Sequence, residues 1–382
     1  MAILEFSKDS GKSIVIHFYT KELGPEGQPL YYHTPENPAV IKGHVEFRTV
    51  KETKGGDIDF TFEARAESKW TEQHGKATIS YNYIKKFQEQ SWEIKLKRSN
   101  PKTISPGVTR YDFEVPLDAG LPSSIEGTRG WFHYRFKAHI KRSFPHRDMA
   151  AKELVWVYSS SLRAGERHEP KIYKHIWNDV LPVTCTLPSE VFYQGQIVPL
   201  TVQFEPFLDN SILRGQELIV ASAFVKMKQY TRLTDPKVLN KERNDKKTVF
   251  SLPVTEDWPQ TSKGFTKTIM VELPGAKQLA ATLDSPPVTK RHTLKLIMMV
   301  YTNVSTEKEA KELRIEMDVK ITAPRPEHIR DMAPAHAAPP PYQSIGTDDE
   351  DDAMPPEFSR SNSGNKSHDD RPSDVKHPQG LF

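Results

Sequence analysis

Alternation with a period of two is the feature that most limits what this chain can become. Over 58–65, Ile58, Phe60, Phe62 and Ala64 fall on one side, and Asp59, Thr61, Glu63 and Arg65 on the other. Over 132–141, Phe132, Tyr134, Phe136, Ala138 and Ile140 alternate with His133, Arg135, Lys137, His139 and Lys141. Over 313–322, Leu313, Ile315, Met317, Val319 and Ile321 alternate with Arg314, Glu316, Asp318, Lys320 and Thr322. Successive side chains of a strand point to opposite faces, so each segment buries one face and wets the other. No apolar stripe at helical spacing runs beyond about three turns. The spacing therefore predicts an all-β protein of antiparallel sheets packed as sandwiches.

Further strands are expected at 13–19, 41–50, 90–97, 108–115, 153–160, 196–206, 216–228, 264–273 and 292–301. Turn chemistry separates them at Gly55-Gly56, Ser105-Pro106-Gly107, Asp209-Asn210 and Pro274-Gly275. Roughly fifteen strands are too many for one small sandwich, and two sandwiches of about 150 residues are the natural division. The expected organisation is a sandwich over 1–165, a second over 175–323 and a tail over 324–382. The join is expected in the polar stretch 161–174.

Charge and proline usage set the tail apart. Residues 324–382 hold six Lys/Arg against eleven Asp/Glu, a net of −5; with +3 on the whole chain, residues 1–323 carry +8. All six tryptophans lie before residue 324, and ten of the thirty prolines after it, so the tail has little with which to build a core and is expected to be disordered. The single cysteine, Cys185, excludes an intramolecular disulfide framework and a cysteine-based zinc site, which fits a reducing compartment. The amino-terminal segment lacks a basic region ahead of a continuous apolar stretch, and no run of about 18 apolar residues occurs. A cytoplasmic chain is expected.

Nothing in the sequence asks for catalysis. The fourteen histidines are dispersed, with no H-E-x-x-H or H-x-H pair, so no metal site and no cofactor are expected. There is no G-x-S-x-G elbow, phosphate loop or dinucleotide fingerprint. Cys185 alternates in step with Val183 and Leu187, the position of a core residue rather than a nucleophile. A modest +8 on the body and the lack of a nucleic-acid motif argue against nucleic acid as a partner.

Residues 117–142 read LDAGLPSSIEGTRGWFHYRFKAHIKR. Leu121-Pro122-Ser123-Ser124, then Glu126-Gly127, Gly130 and a strand with Tyr134 and Ala138, resemble the arrestin amino-terminal domain, most closely that of the α-arrestins. Ile41-Lys42-Gly43-His44-Val45 resembles the family's early strand, although Pro38-Ala39 stands where a Pro-Gly turn is usual. Ser105-Pro106-Gly107 with Tyr111, Phe113, Val115 and Pro116 matches the strand before the Leu-Pro-x-Ser motif. Leu187-Pro188 through Gly195, Val198-Pro199-Leu200 and His292-Thr293-Leu294-Lys295 look like parts of the arrestin carboxy-terminal domain. The resemblance implies two arrestin-like, Ig-like sandwiches in tandem. An unrelated Ig-like sandwich is the competing reading.

In the tail, Pro339-Pro340-Pro341-Tyr342 matches the Pro-Pro-x-Tyr ligand of WW domains. Consecutive prolines hold φ near −65°, so the segment is close to polyproline II before binding and loses little backbone entropy. WW domains offer aromatic grooves to such a helix, and the tyrosine ring supplies apolar anchoring surface. Behind arrestin-like domains, this motif implies an adaptor that joins the cytosolic segments of transporters or receptors to a HECT-type ubiquitin ligase. The cargo would then be ubiquitinated and internalised, with the adaptor peripheral to the plasma membrane and endosomes. A structural sorting-coat subunit similar to the arrestin-like subunit of retromer is the alternative, and it has no evident need for the motif.

Weaker signals surround it. Pro355-Pro356-Glu357-Phe358 is a near match with Phe in place of Tyr. Tyr342-Gln343-Ser344-Ile345 reads as a tyrosine-based sorting word. Asp348-Asp349-Glu350-Asp351-Asp352 either solvates the tail or presents Thr347 to an acidophilic kinase. The polar row His133, Arg135, Lys137, His139 and Lys141 is either a wet strand face or a surface for anionic lipid.

Overall fold

The computed structural model of the chain describes residues 11–34, 37–142, 147–159, 169–209, 211–238, 241–255, 257–304 and 310–323. In chain order the first half contains β1 (Lys12–Phe18), β2 (Leu30–His33), β3 (Val40–Thr49), β4 (Thr53–Lys54), β5 (Ile58–His74), β6 (Ala77–Ile94), β7 (Arg98–Asn100), β8 (Thr103–Ile104), β9 (Gly107–Pro116), β10 (Gly130–Ile140) and β11 (Met149–Ser159). The second half contains β12 (Lys171–Trp177), β13 (Leu181–Leu187), β14 (Val191–Tyr193), β15 (Ile197–Phe204), β16 (Leu218–Asp235), β17 (Lys241–Pro253), β18 (Phe265–Glu272), β19 (Leu283–Ser285), β20 (Val288–Thr302) and β21 (Lys311–Thr322). No helix occurs among the described residues. The protein is all-β, as the alternation requires.

In the first half a sheet in the order β1-β3-β9 faces a sheet in the order β2-β11-β10-β5-β6, and β4-β8-β7 form a small third sheet. Phe60 and Phe62 of β5, Phe113 of β9 and Tyr134 and Phe136 of β10 point inward, and all are buried. Phe60 and Phe113 meet with ring centroids 4.9 Å apart, and Phe113 and Phe136 at 5.1 Å, so aromatic contacts bridge the two sheets. Each such ring, once buried, stabilises the fold by about 1.5–3 kcal/mol through the area it removes from water.

The second half repeats the plan. A sheet β12-β13-β15-β18 covers a sheet β14-β21-β20-β16-β17, with β19 pairing to β20. The core between them takes Val183, Cys185 and Leu187 from β13, Leu200 and Val202 from β15, and Leu294, Leu296 and Met298 from β20. Cys185 is fully buried, and burial pushes its thiol up to about 12, so it is a core side chain as its alternation indicated. β2 pairs with β11 and β14 with β21 in parallel; the other strand pairings among the described residues are antiparallel.

Several strands extend past or lie outside the sequence expectation. The segment expected at 90–97 is the end of β6, an 18-residue strand that begins at Ala77. It is joined to the 17-residue β5 by a turn at Gly75-Lys76, where Gly75 has φ +62°. β12 starts at Lys171, inside the stretch expected to be a connector. β17 was not expected as a strand, because its Lys-Glu-Arg-Asn-Asp-Lys-Lys opening has no apolar face.

One glycine sets how closely β1 approaches β3. A Cβ on Gly43 would lie 2.1 Å from the His17 carbonyl oxygen and 2.7 Å from the Phe113 ring, so the backbone of β1 occupies the space a side chain would need. Gly43→Ala is expected to push β1 off the sheet and destabilise the protein by roughly 1–3 kcal/mol. Urea unfolding of variant and parent would measure the loss; equal midpoints would contradict a tight β1–β3 contact at this glycine.

Candidate functional site

The segment between β9 and β10, residues 117–129, is irregular but anchored at several points. Leu117, Leu121 and Ile125 are buried and anchor it to the first core. The Tyr134 hydroxyl, itself inaccessible to solvent, donates to the Pro122 carbonyl at 2.6 Å. The Ser123 hydroxyl donates to the Ser159 carbonyl at 2.9 Å and accepts from the Ser159 N–H at 2.8 Å. Ser124 accepts from the Val157 N–H at 2.9 Å and returns its own N–H to the Val157 carbonyl at 2.7 Å. The two serines thus act as a clasp on β11, supplying hydrogen bonds where the edge of that strand would otherwise lack them.

The same segment then forms the joint with the second half. Ile125 and Phe132 exchange backbone hydrogen bonds at 2.8 and 2.9 Å, closing a loop that projects Glu126, Gly127, Arg129 and Gly130. A Cβ on Gly130 would sit 2.6 Å from Leu233 and 3.1 Å from Val288. Leu233, Leu283 and Val288 of the second half are buried in the core of the first. Polar contacts flank them. Ser68 donates to the Thr234 carbonyl at 3.0 Å, Arg129 pairs with Asp245 at 3.1 Å, and Lys241 pairs with Glu72 at 2.7 Å.

Beside this joint lies a cleft of about 630 Å³, lined among others by Glu26, Glu126, Trp156, Gln194, Lys247 and Lys290. Lys290 is 3% exposed, and its ammonium donates to the Glu126 carbonyl at 3.1 Å. Burial, and then the charge of Lys247, bring its pKa down to about 8. Burial and then the neighbouring Glu26 raise that of Glu126. Next to Lys290, His292 is held down at about 3 by burial and therefore stays neutral. The described lining of the cleft carries charges of both signs.

The row read as a lipid face lies on β10, with Lys141 just past its end, along the outer side of the sheet. The Arg65 guanidinium donates to His133 Nε2 at 2.8 Å, and burial beside Arg65 and Arg135 holds His133 at about 3. Arg135 pairs with Glu63, a carboxylate that Lys86 also reaches at 2.8 Å. His139 lies 3.1 Å from Asp148, while Lys137 and Lys141 are exposed. Three of the five residues are therefore engaged by neighbouring side chains. Pro339, Pro340, Pro341, Tyr342 and Thr347 lie outside the described residues.

Spacing tests of the sequence did not find a group that the fold assembles. His17 on β1 stands directly across from His44 on β3, which stands across from Asp112 on β9. His17, His44 and Glu46 place a ring nitrogen or carboxylate oxygen each within 4.8 Å of one another. The partners come from separate strands, so a search for local ligand words could not see them.

Residues 26–158, from before β2 into β11, match the family described as arrestin (or S-antigen), N-terminal domain. The chain carries an arrestin N-terminal domain. The Leu121–Ser124 clasp and the Gly127–Gly130 loop both belong to this arrestin domain, which is why that stretch of sequence carries the resemblance. Over 236 residues the chain is 23% identical to an arrestin-related trafficking adapter of Schizosaccharomyces pombe, covering 53% of this chain and 36% of that protein. It is 23% identical over 248 residues to the HECT-type ubiquitin ligase-interacting protein creD of Emericella nidulans, covering 62% of this chain and 40% of that one. A second Schizosaccharomyces pombe arrestin-related trafficking adapter is 20% identical over 345 residues, 79% of this chain and 67% of its own length. The chain thus spans well under half the length of the first two relatives. No helix among the described residues is long and apolar enough to cross a membrane.

Two measurements test the clasp and the joint. Tyr134→Phe leaves the Pro122 carbonyl without its donor and is expected to destabilise the protein by roughly 1–3 kcal/mol in urea unfolding; an unchanged midpoint would show that the clasp contributes nothing. The second concerns Lys290, whose pKa is lower in the folded protein than the ordinary lysine value. Between about pH 8 and 10.5 the unfolded chain holds a proton that the native one has released, so the wild type gains stability as pH rises through that window. Lys290→Met cannot titrate there, and the melting temperature of wild type relative to Lys290→Met is expected to climb from pH 7.5 to 10. Parallel curves would refute it.

Proposed function

We propose that this chain is an arrestin-type adaptor that brings membrane-protein cargo to a WW-domain HECT ubiquitin ligase. The observation that carries the reading is Pro339-Pro340-Pro341-Tyr342, a ready-made polyproline II ligand carboxy-terminal to an arrestin domain. A relative matched over 62% of this chain bears a name that states interaction with a HECT-type ubiquitin ligase, which supports the same reading. The β-sandwich body would engage cytosolic segments of a transporter or receptor, and the motif would engage the ligase. Catalysis belongs to the ligase. The adaptor contributes effective concentration, since tethering both partners makes the encounter of ligase and cargo lysine intramolecular. Such work places the protein in the cytoplasm and peripherally at the plasma membrane and endosomes.

The test is binding of purified WW domains of a HECT ligase to the full chain and to Tyr342→Ala. Loss of the tyrosine anchor, worth about 2 kcal/mol, is expected to weaken binding roughly 30-fold. Equal affinity for the two proteins would take the ligase role from this motif and favour a sorting-coat subunit.

A further inference from the structure

We infer that the outer face of the β1-β3-β9 sheet holds a transition-metal site for Zn²⁺, with His17, His44 and Glu46 as its ligands. Two imidazoles and a carboxylate are the donor set that zinc takes when a fourth position is left to water. Their ligand atoms lie within 4.8 Å of one another, and the His17 and His44 rings stack with centroids 4.6 Å apart and planes 24° apart. The antiparallel pairing of His17 with His44 brings the two rings together; an imidazole lone pair lies in the ring plane, so the stacked rings turn about their side-chain torsions before both bind one ion.

Hydrogen bonds around His44 leave one of its nitrogens free. The Tyr19 hydroxyl donates to the Asp112 carboxylate, so its oxygen must accept from His44 Nδ1, 3.2 Å away. His44 then carries its proton on Nδ1 and keeps the lone pair of Nε2 for an ion. Metal-binding imidazoles are commonly oriented by a hydrogen bond from the other ring nitrogen, and here the Tyr19 hydroxyl, itself bonded to Asp112, takes that place. Tyr19 and Asp112 are positioning residues here, and Asp112 occupies the same cross-strand row as the two histidines.

Arg110, at 2.8 Å, and Arg48, at 3.2 Å, donate to the two carboxylate oxygens of Glu46. These guanidiniums compete with an ion, but their side chains are 64% and 56% exposed and can swing into water. Calcium and magnesium, which require a shell of oxygens, do not suit two imidazoles. A bound zinc ion would tie the edge strand β1 to β3.

The full chain, stripped with a chelator, is titrated with zinc chloride by calorimetry, and its melting temperature is followed as zinc is added. One site per chain is expected, with a melting temperature that rises with zinc and returns on chelation, while calcium and magnesium do neither. His17→Gln and His44→Gln, each checked for an unchanged fold in chelator, should weaken that site by more than about 100-fold. Tyr19→Phe, which removes only the orienting group, should weaken it by about 10-fold. Arg110→Ala should tighten it. Absence of a one-to-one site in the wild type overturns the inference, as does a site retained in both histidine variants, which would place the ion on other histidines of the chain.

Discussion

The hydroxyl of Tyr134, buried in the first core and bonded to the Pro122 carbonyl, is the point at which packing and connectivity meet in this protein. Tyr134 is one of the inward residues of β10, stacked near Phe62 and edge-on to Phe132. Its ring therefore belongs to the core, while its oxygen fixes the chain that crosses from one sheet to the other. From that point Ser123 and Ser124 can reach β11, and the loop beyond them can reach the second half. A buried phenol without a partner would be costly, and so would a buried carbonyl; each satisfies the other. The crossing segment is thereby held without a regular element of its own.

Fixing the crossing allows a joint made of mixed materials. Leu233, Leu283 and Val288 leave their own half and complete the core of the other, with Gly130 providing the space. Around them run ion pairs that are partly exposed, such as Arg129 with Asp245, and these contribute modestly because water screens them. The apolar insertion removes three side chains from water, a larger contribution than such screened pairs make. Consistent with this, the body from its first to its last described residue behaves as a single compact unit although it has two cores.

The alternation of a strand is readable when one face is dry and the other wet, and that condition explains which elements were legible. β10 and β21 meet it and lie within two residues of the expected ends. β17 does not: its residues are exposed or half-buried on both faces, and pairing with β16 and contacts such as Lys246 over the Tyr230 ring hold it in place. The early part of β6 fails for a similar reason, since Ala77–Ser80 is exposed at the hairpin end. The site residues obey a different rule. Leu121–Ser124 could be recognised as a word, but the role of its serines depends on partners more than thirty residues away on β11. His17 and His44 are separated by 27 positions and Asp112 by many more, so only strand order makes them neighbours. A linear pattern carries periodicity well and adjacency poorly.

Burial also decides what the polar groups of this protein can do. Lys290, His292 and His133 are enclosed, and enclosure drives each toward its neutral form. His133 spends its acceptor nitrogen on Arg65, and Lys290 donates to the Glu126 carbonyl, so these two side chains serve cohesion. The histidines of the outer sheet are in the opposite situation. They stay within reach of solvent, and the tyrosine–aspartate pair beside His44 takes only Nδ1 and leaves Nε2. A side chain whose hydrogen bonds are completed by the fold is structural, whereas one oriented by the fold with a lone pair left over is available for binding. By that criterion the buried cleft is the joint of the molecule, and the β1-β3-β9 face is where its body can meet an ion.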